Sequence, residues 1–310
     1  MKILAVSPHL HSGTTTRVLM RDVLIALTPV LLAALYFFRW RALALVLVCV
    51  ISAVLTELLA ARIFKKENKV QDLSAVVTGL LLAFCLPPAL PLWMAALGSF
   101  FAIFVAKELF GGIGCNIFNP ALSGRAFLLA SYASFMTTWS RPLDAVTAAT
   151  PLALAKAGSA VDALTSAAAQ AAGQTAVYRD LFWGAVAGSL GETSAAAILL
   201  GAAYLFCRRV IDWREPFSYL ATVALIMFLA GQAVLFHLLA GGLLLGAFFM
   251  SNDYTTTPMS TRGKLIFGIG CGILTSVIRL RGGYPEGVCY AILIMNMFVP
   301  LIDRLDLKRQ

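Results

Sequence analysis

Two stretches of this sequence, residues 73–106 and 216–252, contain no Asp, Glu, Lys or Arg. A bilayer core is crossed by about 20 apolar residues of helix, so each stretch is long enough for two crossings. Each also carries a break near its middle: Pro87-Pro88 and Pro91 in the first, Gly231-Gln232 in the second. Proline ends helices, and glycine is the usual residue just past a helix end. Composition agrees, because 60% of the 310 residues are hydrophobic and only 13% are charged. Soluble domains run near 45–50% apolar with about a quarter charged. That much apolar surface does not fit a soluble enzyme, a secreted disulfide scaffold, a disordered chain or a nucleic-acid-binding domain. In lipid every backbone polar group must be satisfied internally, which leaves an all-α polytopic membrane protein.

Further candidate spans fall at 22–38, 42–62, 119–137, 193–209, 264–280 and 286–303. With 73–86, 92–108, 216–230 and 233–250 they make about ten transmembrane helices. Several are short, so tilt and snorkelling Lys and Arg must complete them. Orientation follows from the basic residues in the loops. With the N-terminus inside, sixteen of the 24 Lys and Arg fall inside, seven outside (Arg279 among them), and Arg125 lies within a span. Both termini are therefore expected in the cytoplasm. The net charge of +9 lies in short clusters between apolar runs, which is a membrane pattern and not a nucleic-acid one. Residues 1–21 read as a cytoplasmic N-terminal segment, not as a signal peptide, because their apolar stretch is short and interrupted. The remaining divisions are a first five-helix repeat at 22–137, an outer-face (periplasmic) loop at 138–180, a second five-helix repeat at 181–304, and a cytoplasmic tail at 305–310.

An odd number of spans per half makes the halves inverted repeats, and such repeats bind ligands between broken helices near the midplane. Each half has a candidate break: GGIGCNIFNP at 111–120 and GSLGETS at 188–194. Glycines that merely pack helices are the plainer reading of both. Glu108 and Glu192 stand beside them, and carboxylates at membrane depth usually mark function; with Glu57 they are the candidates for an ion path. The six cysteines form no CxxC pair and read as small buried hydrophobes, and three scattered histidines make no metal cluster. No Rossmann, P-loop or iron–sulfur spacing is present, so the chain needs partners for any NADH or cluster chemistry.

The long loop holds the sharpest motif, Asp144-Ala145-Val146-Thr147-Ala148-Ala149-Thr150, followed by Pro151. It resembles the site at which a flavin transferase joins FMN to a threonine through a phosphoester bond, with Ala148 where glycine is usual. An acceptor must be an exposed hydroxyl. Asp144 can organise a turn toward Thr147, and Pro151 biases Thr150 toward an extended backbone. A near copy, Asp162 to Ala168, ends on alanine and has no hydroxyl to esterify.

The segment SNDYTTTPMSTRGKLIFGIGCGILTSVIRLRGGYPEGVCYAILIMNMFVPLIDR (251–304) resembles the RnfD/NqrB family. That family holds the D subunit of the Rnf ion-translocating electron-transport complex and the B subunit of the sodium-pumping NADH:quinone oxidoreductase. CNIFNPALSGRAF (115–127), GETSAAAILLG (191–201) and SPHLHSGTTTRVLM (7–20) resemble it at matching places, and the Rnf branch fits better. The resemblance implies inverted five-helix repeats in a bacterial inner membrane and covalent FMN on Thr150. It also implies a complex that moves electrons between NADH and ferredoxin, coupled to Na⁺ or H⁺ translocation. The implied partners are NADH-oxidising, iron–sulfur and second FMN-bearing subunits, a flavin transferase for maturation, and lipid. A second flavin such as riboflavin belongs to the family's range. For flavin surroundings, Asn116 and Asn119 could hydrogen-bond a ring or phosphate edge and Arg125 could balance an anionic flavin. Against these stand an N-cap before Pro120 for Asn119 and an intramembrane ion pair for Arg125. Asp253 and Arg262 read as structural or subunit-contacting. The competing functions are a secondary transporter or channel, and a scaffold subunit without flavin.

Overall fold

The computed structural model describes residues 15–65, 70–142, 147–156 and 174–307. Among the described residues there is helix and no strand, beyond one isolated antiparallel bridge between Ser140 and Thr147. The first element, α1, runs over Thr16–Ile63, 48 residues. A straight helix of that length would reach about 70 Å, more than twice the hydrocarbon thickness. It is broken at Arg39, which sits at φ 51°, ψ −131°. The contacts of its two arms show what the break does. Val23 shares a cavity with Lys107, and Glu57 pairs with the Lys107 ammonium. On an unbroken helix Val23 and Glu57 would lie about 50 Å apart. The chain therefore doubles back at Arg39, as expected for spans at 22–38 and 42–62.

Each arm turns small residues inward among larger ones such as Leu27 and Leu45. Ala26, Ala34, Ala42, Cys49, Ala53 and Ala60 are buried, while Leu32, Tyr36, Leu43, Leu47, Ile51 and Leu55 face outward. Small residues let helix backbones approach in lipid, where van der Waals contact drives association. A Cβ on Gly79 would lie 2.9 Å from the Cys49 carbonyl, and one on Gly201 would lie 2.1 Å from that of Ala26.

The remaining helices are α2 (Ser74–Phe84), α3 (Leu92–Phe100, running on as a π-helix over Phe101–Glu108), α4 (Pro120–Ser131), α5 (Ala133–Met136), α6 (Pro151–Lys156) and α7 (Gln174–Trp183). They continue with α8 (Ala195–Cys207), α9 (Arg214–Leu229), α10 (Val234–Leu239), α11 (Leu243–Leu245, running on as a π-helix over Gly246–Met250), α12 (Thr261–Arg281) and α13 (Val288–Leu307). α1 and α12 are long and apolar enough to cross a membrane. The proline break separates α2 from α3, and Gly231, at φ 69°, separates α9 from α10. The expected span 233–250 is not one continuous helix. It stops at Leu239 and resumes at Leu243, with Gly241 at φ 72° between. The two glycine-rich breaks are irregular backbone, over 109–119 and 184–194.

Polar contacts sort the helix ends into two groups. At one end, called here the Lys107 end, Asp22 meets Arg208, Asp212 meets Lys264, Asn116 meets Thr255 and the Met259 amide meets Asp303. At the other, the Thr150 end, Arg125 meets Glu286, Lys156 meets the carbonyls of Ile278 and Tyr284, and Arg279 meets that of His237.

Candidate functional site

α4 connects the two ends. Asn119 is its N-cap: the side-chain oxygen accepts from the Leu122 amide at 3.2 Å, and Pro120 fills the first turn, where a missing N–H does no harm. The Asn119 amide nitrogen donates to the Met250 carbonyl at 3.1 Å, pinning α4 to the π-helix after α11. Arg125 is six residues along, about 9 Å of helix rise. There it forms a buried ion pair with Glu286 in the turn before α13.

Around that pair the Thr150 end is assembled. Thr150 caps α6, its hydroxyl oxygen accepting from the Ala153 amide at 3.1 Å, with Pro151 at the first helical position. Leu152 buries itself with Leu181, Phe236 and Ala240. Lys156 donates to the Tyr284 carbonyl at 2.9 Å and to that of Ile278 at 3.2 Å. Just upstream, the Ala148 amide donates to the Trp139 carbonyl at 2.9 Å. The threonine is thus held against the bundle at several points. Arg279 answers the break between α10 and α11. It donates to the carbonyls of His237 (2.5 Å), Ala240 (3.1 Å) and Glu286 (3.1 Å), placing a cation where α10 leaves its last carbonyls unpaired. Glu192 approaches from the 184–194 segment, accepting from the Ser189 amide at 2.9 Å. A Cβ on Gly242 would lie 3.1 Å from Glu192 and 3.9 Å from Arg125, so the glycine leaves the two side chains room beside the break.

Two cavities lie at the Thr150 end, and Thr150 itself lines the smaller. The larger, about 240 Å³, is walled by Trp139, Met136, Tyr284, Tyr290, Arg125 and Glu286, with Ala149 and Ala153 on either side of the threonine. The smaller, about 10 Å³, is lined by Thr150 itself with Glu192, Thr193 and Glu286.

The Lys107 end holds a second polar cluster. The Lys107 ammonium, 3% exposed, pairs with Glu57 and donates to the Ser74 hydroxyl at 2.7 Å. The Asn116 amide donates to the Thr255 hydroxyl at 2.8 Å, and that hydroxyl donates to Asp253 at 3.1 Å. Lys107, Asn116, Asn119, Asp253 and Thr255 line a cavity of about 80 Å³ whose remaining wall is largely apolar.

Set against the sequence, this arrangement splits one expectation and revises three. Asn116 and Asn119 do not share surroundings with Arg125; they lie at the Lys107 end and Arg125 at the Thr150 end. The plainer readings of Asn119 as N-cap and Arg125 as ion-pair partner are what the structure has. Thr150 is 4% exposed and not a presented hydroxyl, because capping draws its oxygen onto α6; Thr147 is exposed. Lys107 and Arg279, counted among loop cations, are buried. Asp144 lies outside the described residues, as does the near copy at 162–168. Glu286 and Arg279 were not singled out from sequence. One signal for Glu286 was there: it is the single acidic residue between Asp253 and Asp303.

Comparison with known proteins adds the lineage. Residues 3–310 match the NQR2, RnfD, RnfE family. The chain belongs to that family. It is 48% identical over 307 residues to the D subunit of the Na⁺-translocating ferredoxin:NAD⁺ oxidoreductase complex of Acetobacterium woodii, covering 98% of this chain and 93% of that protein. It is 43% identical over 309 residues to the D subunit of the proton-translocating ferredoxin:NAD⁺ oxidoreductase complex of Clostridium ljungdahlii, covering 96% and 92%. The D subunit of the ion-translocating oxidoreductase complex of Escherichia coli K12 is 35% identical over 343 residues, covering 97% and 95%. Family membership and the apolar helices together make this a multi-pass membrane protein, helical and without strands among the described residues.

Proposed function

We propose that the chain is the D-type membrane subunit of an ion-translocating ferredoxin:NAD⁺ oxidoreductase complex, with FMN joined to Thr150. It is not catalytic alone: electrons reach and leave it through NADH-oxidising, iron–sulfur and second FMN-bearing subunits. The inverted repeat of five plus five spans, a bacterial inner-membrane location and cytoplasmic termini belong to this reading. So does an outward-facing Thr150 end, on the excess of Lys and Arg at the other.

The observation that carries the flavin is the place of Thr150 between Ala149 and Ala153, two residues that line the aromatic cavity. The cap bond uses a lone pair of the hydroxyl oxygen, and no described residue accepts from the O–H, the bond a phosphoryl group would replace. Trp139, Tyr284 and Tyr290 offer stacking faces for a planar ring. The Arg125 Nε has no partner among the described residues and can serve a polar ring edge. These residues fit a flavin. When bound, it supplies stepwise electron transfer that no side chain of this protein offers. The protein's own part is to hold and to shield: Lys156 and Leu152 fix α6 to the bundle, and Trp139 narrows access to the cavity. Asn116 and Asn119 would serve a second flavin at the Lys107 end.

The test is a denaturing gel under ultraviolet light, with the subunit co-expressed with an active flavin transferase. Wild type and Thr150→Ser should fluoresce and Thr150→Ala should be dark. A fluorescent Thr150→Ala band would remove the flavin from this residue. A dark wild-type band would favour the flavin-free scaffold.

A further inference from the structure

Two arginines, Arg125 and Arg279, and two glutamates, Glu192 and Glu286, converge on the break between α10 and α11. Arg125 arrives from α4 and Glu286 from the turn before α13, and these two pair. Glu192 arrives from the segment before α8, and only one of its oxygens is used, by the Ser189 amide. The other Glu192 oxygen, one Glu286 oxygen and the Thr193 hydroxyl have no partner among the described residues. Glu192 and Thr193 are more than nine-tenths buried, with 6% and 1% of their surface exposed, and the Glu286 side chain is 11% exposed. They line the same cavity of about 10 Å³, with Thr150 as a fourth wall. That is room for about one water-sized occupant.

The remaining charged groups nearby give these two carboxylate oxygens no direct donor. Arg279 gives its donors to three carbonyls and none to a carboxylate. Lys156 is likewise held by two carbonyls. His237, on α10, is buried, and its Nδ1 is unpartnered. The thiols of Cys85 and Cys289 are buried beside Arg125. Two carboxylates therefore share one guanidinium that contacts a carboxylate. Unsatisfied carboxylate oxygens at membrane depth are costly to keep, and where they occur they mark ion or proton pathways.

We propose that Glu192 and Glu286, with the Thr193 hydroxyl, bind one small cation, H⁺ or Na⁺, directly behind Thr150. This deepens the proposed function and rests on it for one point: a cation here lies next to the residue that would carry the redox group. Charge placed on that group would favour occupancy of the site, and its departure would favour release.

The experiment uses the whole complex, purified and reconstituted in vesicles. Electron-transfer rate is titrated twice, against Na⁺ at fixed pH and against pH at saturating Na⁺, with in-gel flavin fluorescence read on the same samples. If the occupant is Na⁺, Glu192→Gln raises half-saturating Na⁺ at least tenfold. If it is H⁺, the pH midpoint moves by a unit or more and the Na⁺ curve stays put. Glu192→Asp, which keeps the charge, should recover part of the shift, and Thr193→Val should move the same curve about threefold. Superimposable curves for Glu192→Gln overturn the proposal. If that variant fails to assemble, superimposable curves for Glu192→Asp and Thr193→Val overturn it instead. A dark wild-type band removes the flavin from Thr150, and the two titrations still decide the cation site.

Discussion

Single residues in this protein carry opposite burdens according to whether a partner is present. Glu57 and Lys107 form a buried ion pair, with Ser74 taking another ammonium proton. A buried pair adds little net stability over a well-packed apolar one, but removing one member strands the other, at about 3–5 kcal/mol. Glu57→Ala should therefore lower the unfolding temperature in detergent sharply, and the double change Glu57→Leu, Lys107→Met should recover most of it. Equal losses in both variants would mean that the charges contribute something beyond each other. Much at this scale was legible in the sequence. The Asn119-Pro120 pair announced an N-cap, and Thr150-Pro151 announced an extended residue before a helix. The partners were not legible: Glu286 lies 161 positions from Arg125, and Glu57 lies 50 from Lys107. No local pattern encodes which buried charges will meet. The burial of Thr150 was missed for a related reason, since the anchoring of α6 by Lys156 depends on carbonyls more than 120 positions away.

At the scale of elements, breakers were the most readable signals and small-residue contacts the least. Pro87-Pro88 and Gly231 end helices where their backbone chemistry requires it. The break at 240–242 escaped notice because Gly241-Gly242 sits inside an apolar run, where a pair of glycines also suits helix packing. Gly201 shows that second use. Its α8 backbone lies against the Ala26 carbonyl of α1 so closely that a methyl group would come within 2.1 Å. Gly201→Ala must push the two helices apart and should cost about 1–3 kcal/mol. Gly283, with open space around its Cβ position, is the matched control. A thermal shift of Gly201→Ala no larger than that of Gly283→Ala would mean that α1 and α8 are not rigidly packed.

For the whole molecule, the two polar ends make orientation testable. Met259 is 93% exposed at the Lys107 end, and Thr147 is exposed beside Thr150. With the exposed Cys115 and Cys207 replaced by Ala, a membrane-impermeant maleimide should reach Met259→Cys only from the cytoplasmic side and Thr147→Cys only from the outer side. Labelling of both from one side would invalidate the topology. The ion pairs also bear on how the chain is made. Lys107 enters the membrane after Glu57, so its partner is already waiting. Arg125 is less fortunate, because Glu286 lies 161 residues downstream. At ribosomal rates of about 5–20 residues per second, that interval lasts on the order of 10–30 s. Until Glu192 and then Glu286 emerge, the nascent first half holds the Arg125 guanidinium without its ion-pair partner, a form exposed to quality-control proteases and open to a chaperone or a lipid phosphate as a temporary counterion.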